Sequence, residues 1–507
     1  MNNLHTMQPD PPSLGDLLPT LAPLQPRLIG DSRVTVRDVR HDSREVEPGD
    51  LFVARPGTRT DGARFVEDAV ARGARAVIVA HGLESSCAVV PSVAVSDPMR
   101  ALALVAEAVQ GWPTRSLSVV GVTGTNGKTT VAWLVQQALL KMGLPAARVG
   151  TLGFDFPGLV AEGGLTTPEP DDLSRFARRV VDAGGRHLVM EVSSHALERG
   201  RVDALHFEVA AFTNLTQDHL DFHGTMSAYG AAKKRLFTDV GARWAVVNMD
   251  DPFGAKLAAE LTPMGLLRVS REGNTAAEVR AEAVTSDAQG IRGTVLLPTA
   301  RVRLESALVG DHNLENLLVS LAVAQALGVE MEPFANALSC VPAAPGRLER
   351  CDDSEDDVTV LVDYSHTPDA LVRALAAVRG LTRGRIHCVF GCGGDRDPGK
   401  RPKMGAAVGA GADVAYLTND NPRSEAPEAI ASAVEPALAA TKIDYVVELN
   451  RARAIERAIL SAAPGDVVLI AGKGHETYQI LGPRTIHFDD REESRRALAK
   501  RRLGSRG

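Results

Sequence analysis

The stretch Gly121-Val-Thr-Gly-Thr-Asn-Gly-Lys-Thr-Thr130 constrains this chain more than any other. It lies between an apolar run, Leu117 to Val122, and a helical pattern that puts Val131, Leu134, Val135, Ala138, Leu139 and Met142 on one face. Strand, glycine turn and helix in that order form the context of a phosphate-binding loop. Gly124 and Gly127 let Thr125, Asn126 and the following backbone N–H groups converge on phosphate oxygens at a helix N-terminus, whose dipole favours negative charge. Lys128 supplies a point charge toward the β- and γ-phosphates, Thr129 a hydroxyl ligand for Mg²⁺, and Thr130 completes the loop. The strict pattern has a glycine where this chain has Val122, so the loop is a variant of the usual one. ATP is the expected ligand.

The rest of the chain bounds what such a loop can serve. Its 507 residues suffice for about three domains with cores of their own. A 44% hydrophobic share, a 23% charged share and a net charge of −7 describe an ordinary soluble protein. The acidic balance disfavours nucleic acid as a partner. No apolar run is long enough to span a bilayer, since Ala101 to Val109 is short and broken by Glu107. The first dozen residues lack a signal-peptide pattern. Five cysteines in so long a chain give no disulfide framework, and Cys388 and Cys392 read as strand thiols rather than zinc ligands. A cytoplasmic, monomeric protein without membrane insertion is expected.

The pattern divides the chain into three α/β units: 1–97, 98–345 and 346–507. The first is small. The second alternates short β-rich runs (His187 to Val192, Phe207 to Thr213, Trp244 to Asn248) with helices, which argues for a parallel sheet covered by helices, with antiparallel strands added over Glu272 to Leu304. The third repeats the alternation through Val358–Asp363, Ile386–Phe390, Val414–Leu417 and Val467–Ala471, a doubly wound, Rossmann-like pattern. The basic last fifteen residues read as a solvated helix end.

Polar clusters follow several of these strands, where open α/β sheets bind ligands. Glu191 ends one and can hold Mg²⁺ directly or through water. Asn214-Leu-Thr-Gln-Asp218-His219-Leu-Asp221 ends another. Lys233, in Ala231-Ala232-Lys233-Lys234-Arg235, reads from sequence alone as a surface lysine, because a bare ammonium repels a metal.

Taken together these segments resemble the Mur ligases, the cytoplasmic ATP-dependent family that adds amino acids to the UDP-muramoyl peptide of peptidoglycan. The matching segments, in family order, are Gly124–Thr130, Thr166-Thr-Pro-Glu169, Glu191-Val-Ser-Ser-His-Ala-Leu197, Thr213–Asp221, Tyr229-Gly-Ala-Ala-Lys233, Gly310-Asp-His-Asn-Leu-Glu-Asn316, Pro345-Gly-Arg-Leu-Glu349, Asp363-Tyr-Ser-His-Thr-Pro-Asp369, Gly391–Asp397, Asp420-Asn-Pro-Arg423 and Gly472-Lys-Gly-His-Glu476. The resemblance implies a UDP-binding first domain, an ATP-binding central domain and an amino-acid-binding last domain. It implies that CO₂ carbamylates Lys233, turning a cation into an oxygen ligand for a second Mg²⁺ beside His219, with Thr129 and Glu191 near the first. Lys128, Glu191, His219 and Lys233 are the implied catalytic set, and Asn316, Arg347 and Asp363 the further nucleotide contacts.

The same resemblance assigns Ser43 and the turn Gly57-Thr58-Arg59 to the uridine diphosphate, and Thr166, Thr167, Ser193, Arg199 and Arg201 to the muramoyl dipeptide. Arg199 departs from the Gln of better-known members. Asp420, Asn421, Pro422 and Arg423 resemble the signature of members that add diaminopimelate, with Arg396, Gly472 and Glu476 completing that pocket and Glu476 taking the distal ammonium. Arg423 can grip a second carboxylate bidentately, whereas lysine or ornithine would bring an ammonium to it; like charges about 4 Å apart cost roughly 4 kcal/mol at an effective dielectric near 20. The implied reaction joins meso-diaminopimelate to UDP-N-acetylmuramoyl-L-alanyl-D-glutamate through an acyl phosphate. Its alternatives are a ligase adding LL-diaminopimelate, L-lysine or L-ornithine and, from another class, a catalytically idle nucleotide-binding partner in cell-wall assembly. The last is disfavoured because Lys128, Glu191, His219 and Lys233 are all intact.

Overall fold

The computed structural model describes residues 11–56, 61–83, 89–161, 163–261, 265–287 and 290–504. The turn Gly57-Thr58-Arg59 lies outside them. Among the described residues three large sheets follow one another along the chain, with a two-stranded hairpin after the third. In the first, the order is Arg27–Ile29, Ser92–Val95, Ala76–Ala80, Leu51–Val53, Val39–Arg40, parallel except at the Arg27–Ile29 edge. The helix Pro98–Val109, expected in the second unit, buries Ala101, Leu102, Val105 and Val109 against this first core. Its apolar stripe recurs at helical spacing, which says that the stripe is buried but not against which sheet.

The central sheet has eleven strands, and its order explains the site. The strand Ser118–Thr123 runs parallel between His187–Glu191 and Phe207–Phe212, so the phosphate loop and the two polar clusters leave the same edge of the sheet side by side. Glu191 is in register with Val122. Val122 itself is a strand residue at 0% exposure, packed under the helices on one face. The position of the usual loop's glycine is here a core position of the strand. Val279–Asp287, Gly290–Leu296 and Arg301–Ser306 form the expected antiparallel extension.

The last sheet orders as Glu349–Arg350, Thr359–Asp363, Val467–Ala471, Ile386–Phe390, Val414–Leu417, Asp444–Val447, all parallel but the first. Hydrophobic cores cover both faces, as a doubly wound sheet requires. Cys388 and Cys392 are buried among them, and Cys392 packs on the Met404 sulfur. The terminal helix Asp490–Gly504 corrects the expectation of a solvated end: Ala497 and Leu498 are buried, and Arg501 and Arg502 pair with Asp353, Asp356 and Asp357.

Candidate active site

The loop Gly124–Gly127 runs into the helix Lys128–Lys141, whose first turn has no side-chain cap, so its N–H groups face the site. Gly124 and Gly127 have φ of 148° and 87°. A Cβ at Gly124 would sit 1.9 Å from Thr213 Oγ1, and one at Gly127 2.4 Å from Asn316 Oδ1. The neighbouring strand and the helix Asp311–Ala326 therefore press directly on the loop, and Asn316 lies against its last glycine rather than standing free. Lys128 Nζ donates to the carbonyls of Gly124 (2.9 Å) and Thr125 (2.8 Å). Burial draws its pKa down, against the opposing charges of Glu191 and Asp218.

Glu191, 1% exposed, accepts from Thr129 Oγ1 (2.9 Å), Thr151 N (2.7 Å) and Thr151 Oγ1 (3.2 Å). Thr166 Oγ1 lies 3.3 Å from Thr151 Oγ1, and Thr167 Oγ1 donates to the Glu191 carbonyl at 2.9 Å. Ser193 N in turn donates to Thr167 Oγ1, while Ser193 Oγ caps its own short helix. One hydroxyl network thus ties the carboxylate to the Thr166–Thr167 segment. Thr151 escaped the sequence reading because nothing but the pairing of Ala146–Gly150 with His187–Glu191 brings it there.

Lys233 is 1% exposed, which overturns its reading as a surface lysine. Its Nζ donates to Gly124 O at 2.7 Å and sits 4.3 Å from the Tyr229 ring centre. Burial, reinforced by the charge of Lys128, lowers its pKa well below the usual lysine range. His219 stands 3.4 Å from Asp218 at φ 53°, edge-on to His195. Burial lowers its pKa against the opposing charge of Asp218, and Lys128 and Lys233 add to the lowering.

Arg347 reaches the loop from the start of the last unit: Nη2 donates to Thr129 Oγ1 at 3.3 Å, and the guanidinium lies 4.5 Å over the Tyr364 ring. Asp363 also lines the cavity of about 320 Å³ at this junction. Both its oxygens are already engaged, Oδ2 by Leu348 N at 2.8 Å and Oδ1 by Ser365. In this conformation it braces the Gly346–Leu348 connection. Asp369 joins from the same unit, accepting from Asn126 Nδ2 (3.3 Å) and Thr216 Oγ1 (3.0 Å).

On the other side, Glu169 bridges Arg55 (2.5 Å) and Arg201 (2.9 Å), and Arg201 donates to Thr167 O at 3.0 Å. Ser43 is buried in a short turn of the first unit. Among the described residues Arg199 makes no hydrogen bond or ion pair to this network or to Ser43; its guanidinium lies 5.5 Å from the Phe222 ring centre.

A second polar cluster forms where Val414–Leu417 and Val467–Ala471 end. Arg423, at φ 53°, donates through Nη1 to Gly394 O at 2.8 Å. The hairpin Tyr478–Leu481 and Arg484–His487 fixes its backbone, since Arg423 N donates to Ile480 O and Gly482 N to Arg423 O. Arg396 is exposed beside it, and Pro422 is buried. Asp420 is 8% exposed, packs its carboxylate against Gly472, and makes no side-chain hydrogen bond or ion pair among the described residues. Glu476 differs: its Oε2 accepts from Lys473 Nζ and Asn421 Nδ2, both at 3.0 Å. Its Oε1 has no hydrogen-bond partner among the described residues and is left for a further donor. Lys473 was not anticipated. A lysine between two glycines reads as exposed, and only Glu476 three residues on hints otherwise.

Comparison with known proteins agrees with this geometry. The Mur ligase family catalytic domain matches residues 35–115, the Mur ligase middle domain 122–324, and the Mur ligase glutamate ligase domain 346–474. A Gloeobacter violaceus protein named UDP-N-acetylmuramoyl-L-alanyl-D-glutamate–2,6-diaminopimelate ligase is 45% identical over 475 residues, 94% of this chain and 96% of its own. One of the same name from Geobacillus kaustophilus is 43% identical over 471 residues, 91% of this chain and 94% of its own. A solved structure of a ligase of that name superposes with a TM-score of 0.68 at 31% identity, covering 97% of this chain and 99% of its own. With three family domains in order, and such relatives along nearly its whole length, the chain belongs to the Mur ligase family.

Proposed function

We propose that this chain is an ATP-dependent amide ligase that joins diaminopimelate, the meso isomer by preference, to UDP-N-acetylmuramoyl-L-alanyl-D-glutamate. The names of relatives at 45% and 43% identity support the substrates. The observation that carries the reading is the meeting of three units on one loop: Arg347 on Thr129, Asp369 on Asn126, and the Arg55–Glu169–Arg201–Thr167 chain leading to Glu191. A bare nucleotide-binding protein has no need of that convergence.

A carboxylate repels nucleophiles and has no leaving group. Transfer of the γ-phosphoryl of ATP to the substrate carboxylate forms a new O–P bond, releases ADP, and leaves an acyl phosphate. The amine then displaces phosphate, losing its proton as the amide forms. The first step crowds anions together, so Lys128, the uncapped helix N-terminus and Arg347 offset their charge. Attack by an α-amine is the easier design, since with a pKa near 8 it is about one-tenth neutral at pH 7, against about one part in a thousand for a lysine-type amine. Arg423 and Arg396 suit the distal carboxylate of diaminopimelate, and Glu476, through its open Oε1, together with the unpaired Asp420 suits its ammonium. Closure of the last unit on the loop would exclude water from the acyl phosphate.

Thr129 Oγ1 and the Glu191 carboxylate, 2.9 Å apart, are oxygen donors of the kind Mg²⁺ takes. No cluster of three His, Cys, Asp or Glu side chains able to hold a metal occurs among the described residues, so triphosphate, water or a modified lysine would complete the shell. Lys233 fits the last role. Buried and, among the described residues, without a carboxylate in contact, it favours the neutral amine, the form whose nitrogen bonds to CO₂ with release of a proton. The resulting carbamate, with His219, would hold a second Mg²⁺. When bound, the ions would neutralise phosphate charge.

The test is phosphate release with the UDP-dipeptide and each of meso-diaminopimelate, LL-diaminopimelate, lysine and ornithine. Preference for meso-diaminopimelate is expected; preference for lysine refutes the amino-acid assignment, and no turnover with any refutes the ligase reading.

A further inference from the structure

The Glu191 carboxylate is held by two kinds of donor. Its Oε1 takes the Thr151 backbone N–H at 2.7 Å, a bond that any residue but proline at 151 would keep. Its Oε2 takes two hydroxyls: Thr129 Oγ1 at 2.9 Å, from the phosphate-loop helix, and Thr151 Oγ1 at 3.2 Å, from the end of the strand Ala146–Gly150. Gly150 makes room for this pose, since a Cβ there would meet Glu191 Oε1 at 2.2 Å. The carboxylate therefore lies across the end of the neighbouring strand, and the Thr151 hydroxyl helps to aim the oxygen that Thr129 shares.

Thr151 Oγ1 also lies 3.3 Å from Thr166 Oγ1, and Thr151, Thr166 and Glu191 line the same cavity. A hydroxyl has a single proton to donate. Thr151 directs its own at Glu191, so Thr166 must be the donor between the two threonines. The Thr166 oxygen is then left to accept from whatever enters the cavity. This gives the chain Thr166–Thr151–Glu191 a direction, and each bond in it polarises the next. An N–H placed on Thr166 strengthens the bond on Glu191. A carboxylate placed there turns the Thr166 proton away and weakens it. Thr167 has no such effect, because it reaches Glu191 only at the main-chain carbonyl.

Resting on the ligase reading above, we propose that Thr151 is a positioning residue that couples the two ends of the cavity. An amide N–H of the UDP-dipeptide on Thr166 acts through the Thr151 hydroxyl to fix the Glu191 carboxylate beside the nucleotide phosphates. Each substrate then tightens the binding of the other, because the coupling between two sites is reciprocal.

The experiment measures by calorimetry the affinity for the β,γ-methylene analogue of ATP, at fixed Mg²⁺, with and without saturating UDP-dipeptide. Phosphate release is followed in parallel. The proteins are the wild type, Thr151→Val, Thr151→Ser and Thr166→Val. In the wild type the dipeptide should tighten the analogue about fivefold or more, the lower end of coupling between sites. Thr151→Val keeps the backbone bond and the side-chain shape and removes the proton. It should cut that factor to about twofold or less, with affinity for the analogue alone unchanged. Its kcat should fall about tenfold, as for one hydrogen bond to a charged group, with KM for diaminopimelate unchanged. Thr151→Ser should behave as the wild type, and Thr166→Val should lose the coupling too. Full coupling in Thr151→Val or Thr166→Val, or an equal loss in Thr151→Ser, overturns the proposal. A wild type that turns over without coupling overturns it as well and leaves the ligase reading standing. A wild type that shows coupling but no turnover with any amino acid removes the ligase reading and leaves the role of Thr151.

Discussion

Arg347 donates to Thr129 across the junction between the last and central units, at 3.3 Å. Thr129 also donates to Glu191, so one hydroxyl reports the position of the last unit to the carboxylate beside the phosphate loop. Gly346, immediately before the arginine, lies so close to Gly474 and His475 that a Cβ would meet His475 N at 2.1 Å. The two connections that the amino-acid pocket and the phosphate loop share are thus in backbone contact.

Arg347→Ala should lower kcat by roughly 10²- to 10³-fold, as loss of one preorganised cation at developing charge typically does. Steady-state rates with ATP varied and the other substrates saturating check this. A higher KM for ATP at unchanged kcat would mean that Arg347 only binds the ground state.

Lys233→Ala should abolish ligation, and added short carboxylic acids should restore part of it by supplying the oxygens of the missing carbamate. Phosphate release with and without acetate or formate is the measurement. Full activity in Lys233→Ala would eliminate the carbamate.

Arg451 and Asp490 form a bidentate pair at 2.7 Å on both arms, and both side chains are 0% exposed. Arg451 also donates to Asn419 O and Ala471 O, the residues just before Asp420 and Gly472. Arg451→Met, which strands Asp490, should cost about 3–5 kcal/mol of stability in the last unit. Urea unfolding followed by near-UV signals should show it, with part regained in Arg451→Met/Asp490→Leu. A shift below about 1 kcal/mol would show that water or a rearranged side chain satisfies Asp490.

The first and central units meet through His41 and Asp171, 2.8 Å apart. Burial lowers the His41 pKa, but the hydrogen bond and charge of Asp171 outweigh it, and the net shift is upward from 6.5. Burial raises the Asp171 pKa, but His41 and Arg175 outweigh it, and the net shift is downward from 3.8. The histidine's contribution is complete below about 6.5 and fades as pH rises through its folded pKa. The aspartate's is complete above about 4 and fades as pH falls through its folded pKa. The contact is therefore strongest between about pH 4 and 6.5. Thermal unfolding of wild type and His41→Gln should differ most in that window and converge toward about pH 9; a constant difference would mean that the pair does not titrate.

Much of this was legible because the chemistry follows strand ends. Glu191, Asn214 and Asp420 each close an apolar run, and an open parallel sheet puts such positions on one edge. Burial was not legible. Lys233 and Lys473 have the local sequences of surface lysines, and only the packing of distant segments removes them from water. The same limit applies to Pro98–Val109, whose stripe is buried in the first core while the helix also packs on Pro170–Asp182 of the central unit. Glu476 was identified as a pocket residue, but its partner comes from a side chain three positions away whose direction depends on two positive-φ glycines.

The terminal helix closes the last unit on itself. Arg501 and Arg502 at its end grip Asp353, Asp356 and Asp357 near its beginning. The end of the chain is thus tied to the loop between Glu349–Arg350 and Thr359–Asp363, the first two strands of the unit's own sheet. Unravelling of that helix would therefore release the 353–357 loop along with it, so the last turn of the chain acts as a staple on the edge of the sheet.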